Sequence, residues 1–428
     1  MLNIVVIGAG PSGLCSAKYS LAHGYKVTIY EQAGQLGGVW NYTEEVGRNQ
    51  YGINIHSAMH RELRTNLPHQ LMAYIDHPFP EGTRSFPSHI EVQKYYQSYA
   101  ERFDFMKLIK FNHSVIRVLP IENNKWEVIV KDFVNDKFET IMCDAVFVCN
   151  GPHAKSHIPE IPGASEFKGR IMHSRDFRTP EKFHDENVLV IGSGDSALDI
   201  IQLLRKTASR ITVVCRETQS AQWQKMLQNL LSENVAVQGE VKRLTQTGAE
   251  FSDGSHQTFS VVILATGYVY AYPFLSTECG ISIDDNFIQP LYKHILNIQY
   301  PNMAFIGVTG ITGIFFDLQV QFALKFISGA KRLPSKSEML LDMRAKTFIH
   351  WNRGFSKNKT HYLYLNEISM NEHHNQLSEI VGLEKEKAPT VLRSIVLDVY
   401  ETRSKDIDYR KYKYVIIDNN TFEKSEEL

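Results

Sequence analysis

Two short glycine-bearing runs hold the residue types through which this chain can do chemistry. The first is GAGPSG: Gly8, Ala9, Gly10, Pro11, Ser12 and Gly13. The second is GSGDSA: Gly192, Ser193, Gly194, Asp195, Ser196 and Ala197. In this spacing the first glycine allows a tight turn and the second lets bare backbone approach a pyrophosphate. The third, or an alanine in its place, lets a new helix pack closely on its strand. N–H groups at the helix start then hold the phosphates. The chemistry expected is that of bound dinucleotides, with the redox work done by the cofactors.

Each run must be carried by a strand and followed by a helix, and the flanking residues supply both. IVVIGAGPSGL, from Ile4 to Leu14, returns as VLVIGSGDSAL, from Val188 to Leu198, identical at six of eleven positions. The continuous apolar runs read as buried parallel strands. A first helix over SGLCSAKYSLAHG closes on Gly24, and KVTIYE then forms a strand ending in Glu31, 18 residues after Gly13 and followed by Gln32. A carboxylate there accepts from a ribose hydroxyl and repels a 2'-phosphate, which fits FAD or NAD and not NADP. In the second unit ITVVC leads to Arg216, whose guanidinium suits a phosphate and favours NADPH over NADH. Glu217 beside it offers the competing role of pairing with Arg216 or taking a ribose hydroxyl itself. Asp195 would suit the helix dipole but repel a pyrophosphate if turned inward. Gly38, Val39 and Trp40, in GQLGGVW, bring bare backbone and a large ring toward whatever the first nucleotide carries; the alternative is a surface turn with Trp40 in the core.

With 428 residues, 43% of them hydrophobic, the chain can build two or three domains. Punctuation at HIPEIPG and ATGYVYAYP marks two domain crossings. The expected fold class is α/β with two Rossmann-like dinucleotide-binding domains, 158–271 being inserted into a discontinuous larger domain formed by 1–157 and 272–428. The helix candidate ITGIFFDLQVQFALKFI reads as core, and the stretch from Ser335 onward shows no catalytic motif. Balanced charge, 46 basic against 47 acidic residues, disfavours nucleic acid and anionic membranes as partners. Five scattered cysteines read as buried thiols, and 17 histidines without HExxH or Cys/His spacing give no metal site. No apolar stretch suggests a membrane anchor, so a soluble cytoplasmic protein is expected, secreted only if a presequence is missing from this chain. A homo-oligomer is the default assembly.

Between the two units FKGRIMHSRDF, Phe167 to Phe177, fits FxGxxxHxxx[FY]. With GAGPSG, GGVW, GSGDSA and LATGY in this order, it makes the chain resemble the flavin-containing monooxygenases over about its first 330 residues, and among them the soluble insect members that include alkaloid N-oxygenases. The resemblance implies FAD in the first unit and NADPH in the inserted domain. It implies that Phe167, Gly169, His173 and Phe177 organise the domain junction, with Ser174 near the nicotinamide nucleotide. Thr65 and Asn66, in LRTNLP, match the family's flavin face, Asn66 being the candidate catalytic residue. Asn150 with Gly151, and Thr266 with Gly267, resemble its domain crossings, and Gln319 a later flavin contact. Asp195 departs from the Asn or Pro expected there.

On the residues alone, His173 reads as a structural histidine ahead of a general base, and Asn66 as either a loop cap or a group holding the flavin's oxygen adduct. The reaction implied is hydride transfer from NADPH to FAD, addition of O2 at C4a, and attack on the distal oxygen by a small amine, alkaloid or sulfide. Such chemistry needs water exclusion and hydrogen bonds and no acid–base dyad. Baeyer–Villiger monooxygenases share most of the pattern, but their motif ends in Trp where this chain has Phe177. Disulfide reductases need a cysteine pair absent after Gly38, and the FxGxxxHxxxF match argues against lysine and ornithine N-hydroxylases. A non-enzymatic reading is a redox-sensing module.

Overall fold

Apolar side chains at successive positions cover both faces of the strand Asn3–Ile7. Ile4 and Val6 face one core, and Val5 and Ile7 face another. A strand buried on both sides belongs inside a parallel sheet, and this one pairs in parallel with Lys26–Glu31 and Ala145–Val148. The computed structural model describes residues 1–215, 221–310, 312–363, 367–383 and 390–427. Within it the first sheet has seven strands: Ile109–Phe111 beyond Lys26–Glu31, and Met303–Phe305, Leu296–Asn297 and Leu291–Tyr292 beyond Ala145–Val148.

The second sheet repeats the logic. Val188 and Val190 of the strand Asn187–Ile191 enter one core and Leu189 the opposite one. Its five strands are all parallel, in the order Val235–Gln238, Arg210–Val214, Asn187–Ile191, Val261–Leu264 and Arg170–His173. The fold is thus α/β, built on two dinucleotide-binding sheets. Where the chain passes between them, Lys155–Ser156 pairs antiparallel with Tyr268–Val269, so the two punctuated stretches lie side by side.

The helix Pro11–Ala22 has proline in its first turn, and Gly24 beyond its end takes φ 75°. Against it packs the helix Gly313–Ile327, burying Phe316, Leu318, Val320, Phe322, Ala323 and Leu324 as a core helix should. The helix Thr390–Lys405 and the hairpin Tyr412–Ile416/Phe422–Glu426 close the chain. Val391, Ile395, Val399, Tyr409 and Tyr414 bury against Leu71 and Phe86, which docks this segment beside Thr65 and Asn66. Fully burying each such aliphatic side chain contributes about 1.5–3 kcal/mol. All five cysteines are free, four buried; Cys215, expected in the core, is half-buried. No helix among the described residues is long and apolar enough to cross a membrane.

Candidate active site

The first glycine loop is fixed by crowding. Gly8 has φ 104°, and a Cβ on it would lie 2.6 Å from the Cys149 carbonyl oxygen; one on Gly13 would lie 1.9 Å from that of Gly8. Gly10 and Gly38 put two bare backbones face to face, with 3.5 Å between a Cβ built on Gly10 and the Gly38 Cα. Glu31, 6% exposed, accepts from the N–H groups of Ala9 at 2.7 Å and Ala33 at 2.8 Å, one on each oxygen. Burial pushes its carboxyl up, and these N–H groups pull it partly back. Each oxygen keeps a lone pair for a further donor.

In the second loop Gly192 has φ 127°, with the Ala265 carbonyl 2.1 Å from where its Cβ would stand. Gly194, the N-cap of helix Asp195–Leu204, has nothing within 4 Å of such a Cβ, leaving the helix start open. Ala197 is buried where this helix meets its sheet. Asp195 accepts from Arg403 at 2.6 Å and from the Asn66 amide at 3.2 Å, so its charge is met by partners across the junction. Arg216 lies outside the described residues.

Both loops open into one cavity of about 1780 Å³. Gly8, Gly10, Pro11, Ser12, Glu31, Gln32, Gly38, Val39 and Trp40 line it from the first unit, and Gly192, Ser193, Gly194, Asp195 and Ser196 from the second. Thr65, Asn66, Asn150, Gly151, Thr266 and Gly267 complete the wall between them. Single-ligand pockets run to roughly 300–1,000 Å³, so this space has room for two large ligands. Bare glycine backbone at both helix starts and a buried acceptor at Glu31 fit a flavin dinucleotide and a second nucleotide.

Several expected contacts stand behind the wall instead. Gln319 is buried, accepting from the Gly307 N–H at 2.8 Å and donating to the Thr309 carbonyl; it holds the loop that lines the cavity and is itself outside the lining. Gly13 and Ala197 act as spacers in the same way. Ser174 is buried beside His173, its hydroxyl without a partner.

The FxGxxxHxxxF residues form a brace. A Cβ on Gly169 would meet Phe167 and the Ser260 carbonyl, each at 2.5 Å. His173 donates from Nε2 to the Gly267 carbonyl at 3.0 Å and accepts at Nδ1 from the Arg175 N–H at 3.1 Å. Both ring nitrogens are spent and burial depresses its pKa, which makes it a neutral positioning residue with no free lone pair. Phe177 packs against His60 and Phe183. Next to it the buried Arg178 donates to six backbone carbonyls, including those of Thr43, Glu45 and Met59, and so ties down the segment leading to Asn66.

Sequence reading missed other groups that line the cavity. His56 and His153 are each pushed down to about 4, first by burial and then by the nearby Arg175. Arg175 sits inside the fingerprint, and His153 follows the Asn150–Gly151 turn, so proximity to those motifs was the available signal.

At the junction Asn66 accepts at Oδ1 from Tyr409 at 3.3 Å and from Arg410. Arg410 also reaches both oxygens of Asp199 at 3.0 Å and the Thr65 carbonyl at 3.0 Å. An arginine only donates and an ionised carboxylate only accepts, so the amide's oxygen must face Arg410 and its nitrogen Asp195. The second N–H of Asn66 is left for the cavity it lines. Burial alone would raise the Asp199 carboxyl, but Arg410, His60 and Arg403 hold it below the usual carboxylate range.

Comparison with known proteins agrees with this geometry. The family described as flavin-binding monooxygenase-like matches residues 2–224 and 222–392. Senecionine N-oxygenase of Tyria jacobaeae is 33% identical over 99% of this chain and 91% of its own. Flavin-containing monooxygenase FMO GS-OX4 of Arabidopsis thaliana is 34% identical over 84% of this chain and 81% of its own. The structure of S-allyl-L-cysteine S-oxygenase from Allium sativum superposes with a TM-score of 0.86 at 29% identity, covering 96% of this chain and 94% of the other. With two glycine loops opening into a shared cavity, the fingerprint braced beside it and a family model matching most of its length, the chain belongs to the flavin-containing monooxygenase family.

Proposed function

We propose that this flavin-dependent monooxygenase uses FAD and NADPH to place one oxygen atom of O2 on the nitrogen of a tertiary amine or alkaloid. The observation that carries this reading is the shared cavity that both nucleotide loops and Asn66 line. Similarity to senecionine N-oxygenase supports nitrogen as the acceptor, and similarity to an S-oxygenase keeps a sulfide as the second reading. In this reading 1–157 and 272–428 form the FAD domain and 158–271 the NADPH domain.

FAD held in the first loop would supply the oxygen chemistry, with NADPH as the reductant and O2 as the source of the oxygen atom placed on the substrate, its other atom leaving as water. This chain's residues bind and orient. The helix starts at Gly10 and Gly194 take the two pyrophosphates, and Glu31 takes a ribose hydroxyl. Asn66 donates its remaining N–H toward the oxygen being transferred. The segment held by Arg178, together with the docked C-terminal hairpin, keeps water from that point.

The experiment follows NADPH and O2 consumption over a panel of tertiary amines and sulfides, with hydrogen peroxide and oxide product measured together. Product rising in step with NADPH use while peroxide stays low supports the reading. Failure to oxygenate any member of the panel in the flavin-loaded protein sinks it.

A further inference from the structure

The helix Asp195–Leu204 carries Asp195 and Asp199 four residues apart on one face and contains no lysine or arginine. Like charges at this spacing repel, and Asp195 stands beside the helix start where a pyrophosphate would sit. Both charges are met by residues from the far end of the chain. Arg403, its side chain 7% exposed, is 2.6 Å from Asp195; Arg410 is 3.0 Å from Asp199. The ring of Tyr409 lies 5.3 Å from one guanidinium and 4.9 Å from the other, keeping the two cations apart and in place.

We propose that Arg403 and Arg410 are positioning residues of the oxygenase: Arg403 cancels Asp195 so that the helix start accepts a dinucleotide, and Arg410 fixes the amide of Asn66 with its N–H toward the cavity. The proposal rests on the reading that the Gly192–Ala197 loop takes NADPH. The C-terminal segment is then a third component of the site, although its sequence carries no nucleotide or catalytic motif. The pairing also turns the family departure at Asp195 into half of a charge pair.

The test titrates NADP+ into the oxidised, flavin-loaded enzyme and follows the flavin absorbance change. Arg403→Met should weaken binding at least tenfold, and adding Asp195→Asn to it should restore affinity to within about threefold of the parent. A merely destabilised protein would not regain affinity by losing a second ion. Parent-like binding by Arg403→Met, or no rescue in the double variant, overturns the proposal. If Arg403→Met does not fold, Asp195→Asn alone decides: with Arg403 unopposed beside the helix start, NADP+ should bind severalfold tighter, and unchanged or weaker binding overturns it. A parent enzyme that binds no NADP+ overturns the NADPH reading and the proposal with it. Binding by the parent without response to these substitutions sinks the proposal alone. For Arg410, Arg410→Gln should raise the peroxide share of consumed NADPH severalfold while Arg410→Lys stays closer to the parent; equal peroxide shares in all three refute its role.

Discussion

Replacing Glu31 by glutamine removes one acceptor from a place where two are in use. Its two oxygens take the N–H groups of Ala9 and Ala33 at 2.7 and 2.8 Å inside a site only 6% exposed. An amide can serve one of them; the other N–H then faces a donor, and a buried donor left unsatisfied costs about 1–3 kcal/mol. Some of this is offset, because burial already penalises the carboxylate. The ribose hydroxyl loses a charged acceptor as well, a bond of about 1.5–3 kcal/mol. Glu31→Gln should therefore bind FAD about ten- to a hundredfold more weakly, since about 1.4 kcal/mol is a factor of ten. Titrating flavin-free protein with FAD and reading flavin fluorescence measures this directly. FMN, which lacks the adenosine ribose, is the control and should lose less affinity than FAD. An FAD dissociation constant within twofold of the parent, with flavin-free stability also unchanged, would refute the assignment of Glu31 to the ribose.

Asn66→Leu should retain flavin and NADPH oxidation but divert at least tenfold more of the consumed oxygen to peroxide, as read by peroxide and product assay; coupling equal to the parent removes Asn66 from the oxygen-transfer step. His173→Ala should lower the melting temperature, because the Gly267 carbonyl and Arg175 N–H each lose a partner, while the pH profile of kcat/KM keeps its shape. Disappearance of one limb of that profile would make His173 a base after all. His294, His361 and His373 cluster with ring centroids 5.1 and 5.4 Å apart, and burial pushes His294 down to about 3 and the other two well below their usual value. They are neutral in the fold while unfolded histidines take up protons from about pH 6.5 downward, so their stability contribution is whole above that pH and is lost as pH falls below it, for His294 toward about 3. A urea midpoint that does not move between pH 7.5 and pH 5 contradicts this.

What could be read from the sequence was local and periodic. Val5 and Ile7 alternate with Ile4 and Val6 in a run too apolar for a half-exposed strand, which signalled burial on both faces before any partner strand was known. Gly8 and Gly13 announced a turn with no space for a Cβ. Gln319 was legible as a polar residue at a family position but its partners were not: a buried amide is satisfied by whichever backbone groups lie nearest, here those of Gly307 and Thr309.

The C-terminal arginines were illegible for a different reason. Arg403 meets Asp195 across 208 positions, and Arg410 meets Asn66 across 344. No period or short motif encodes such pairings; only the docking of Val391, Ile395 and Val399 brings them about. Half of the information was nevertheless present. DSALDIIQLL places two carboxylates on one helical face with no internal cation, and apolar residues surround the pair, as expected of a helix packed on a sheet. Asp199, its side chain only 11% exposed, demands a partner because it is removed from water, and Asp195, 56% exposed, because it stands four residues from a like charge, so the helix alone called for cations from elsewhere in the chain. The sequence could state that demand; only the fold could say that residues beyond the recognised motifs answer it, and that in doing so they also hold the Asn66 amide that lines the cavity.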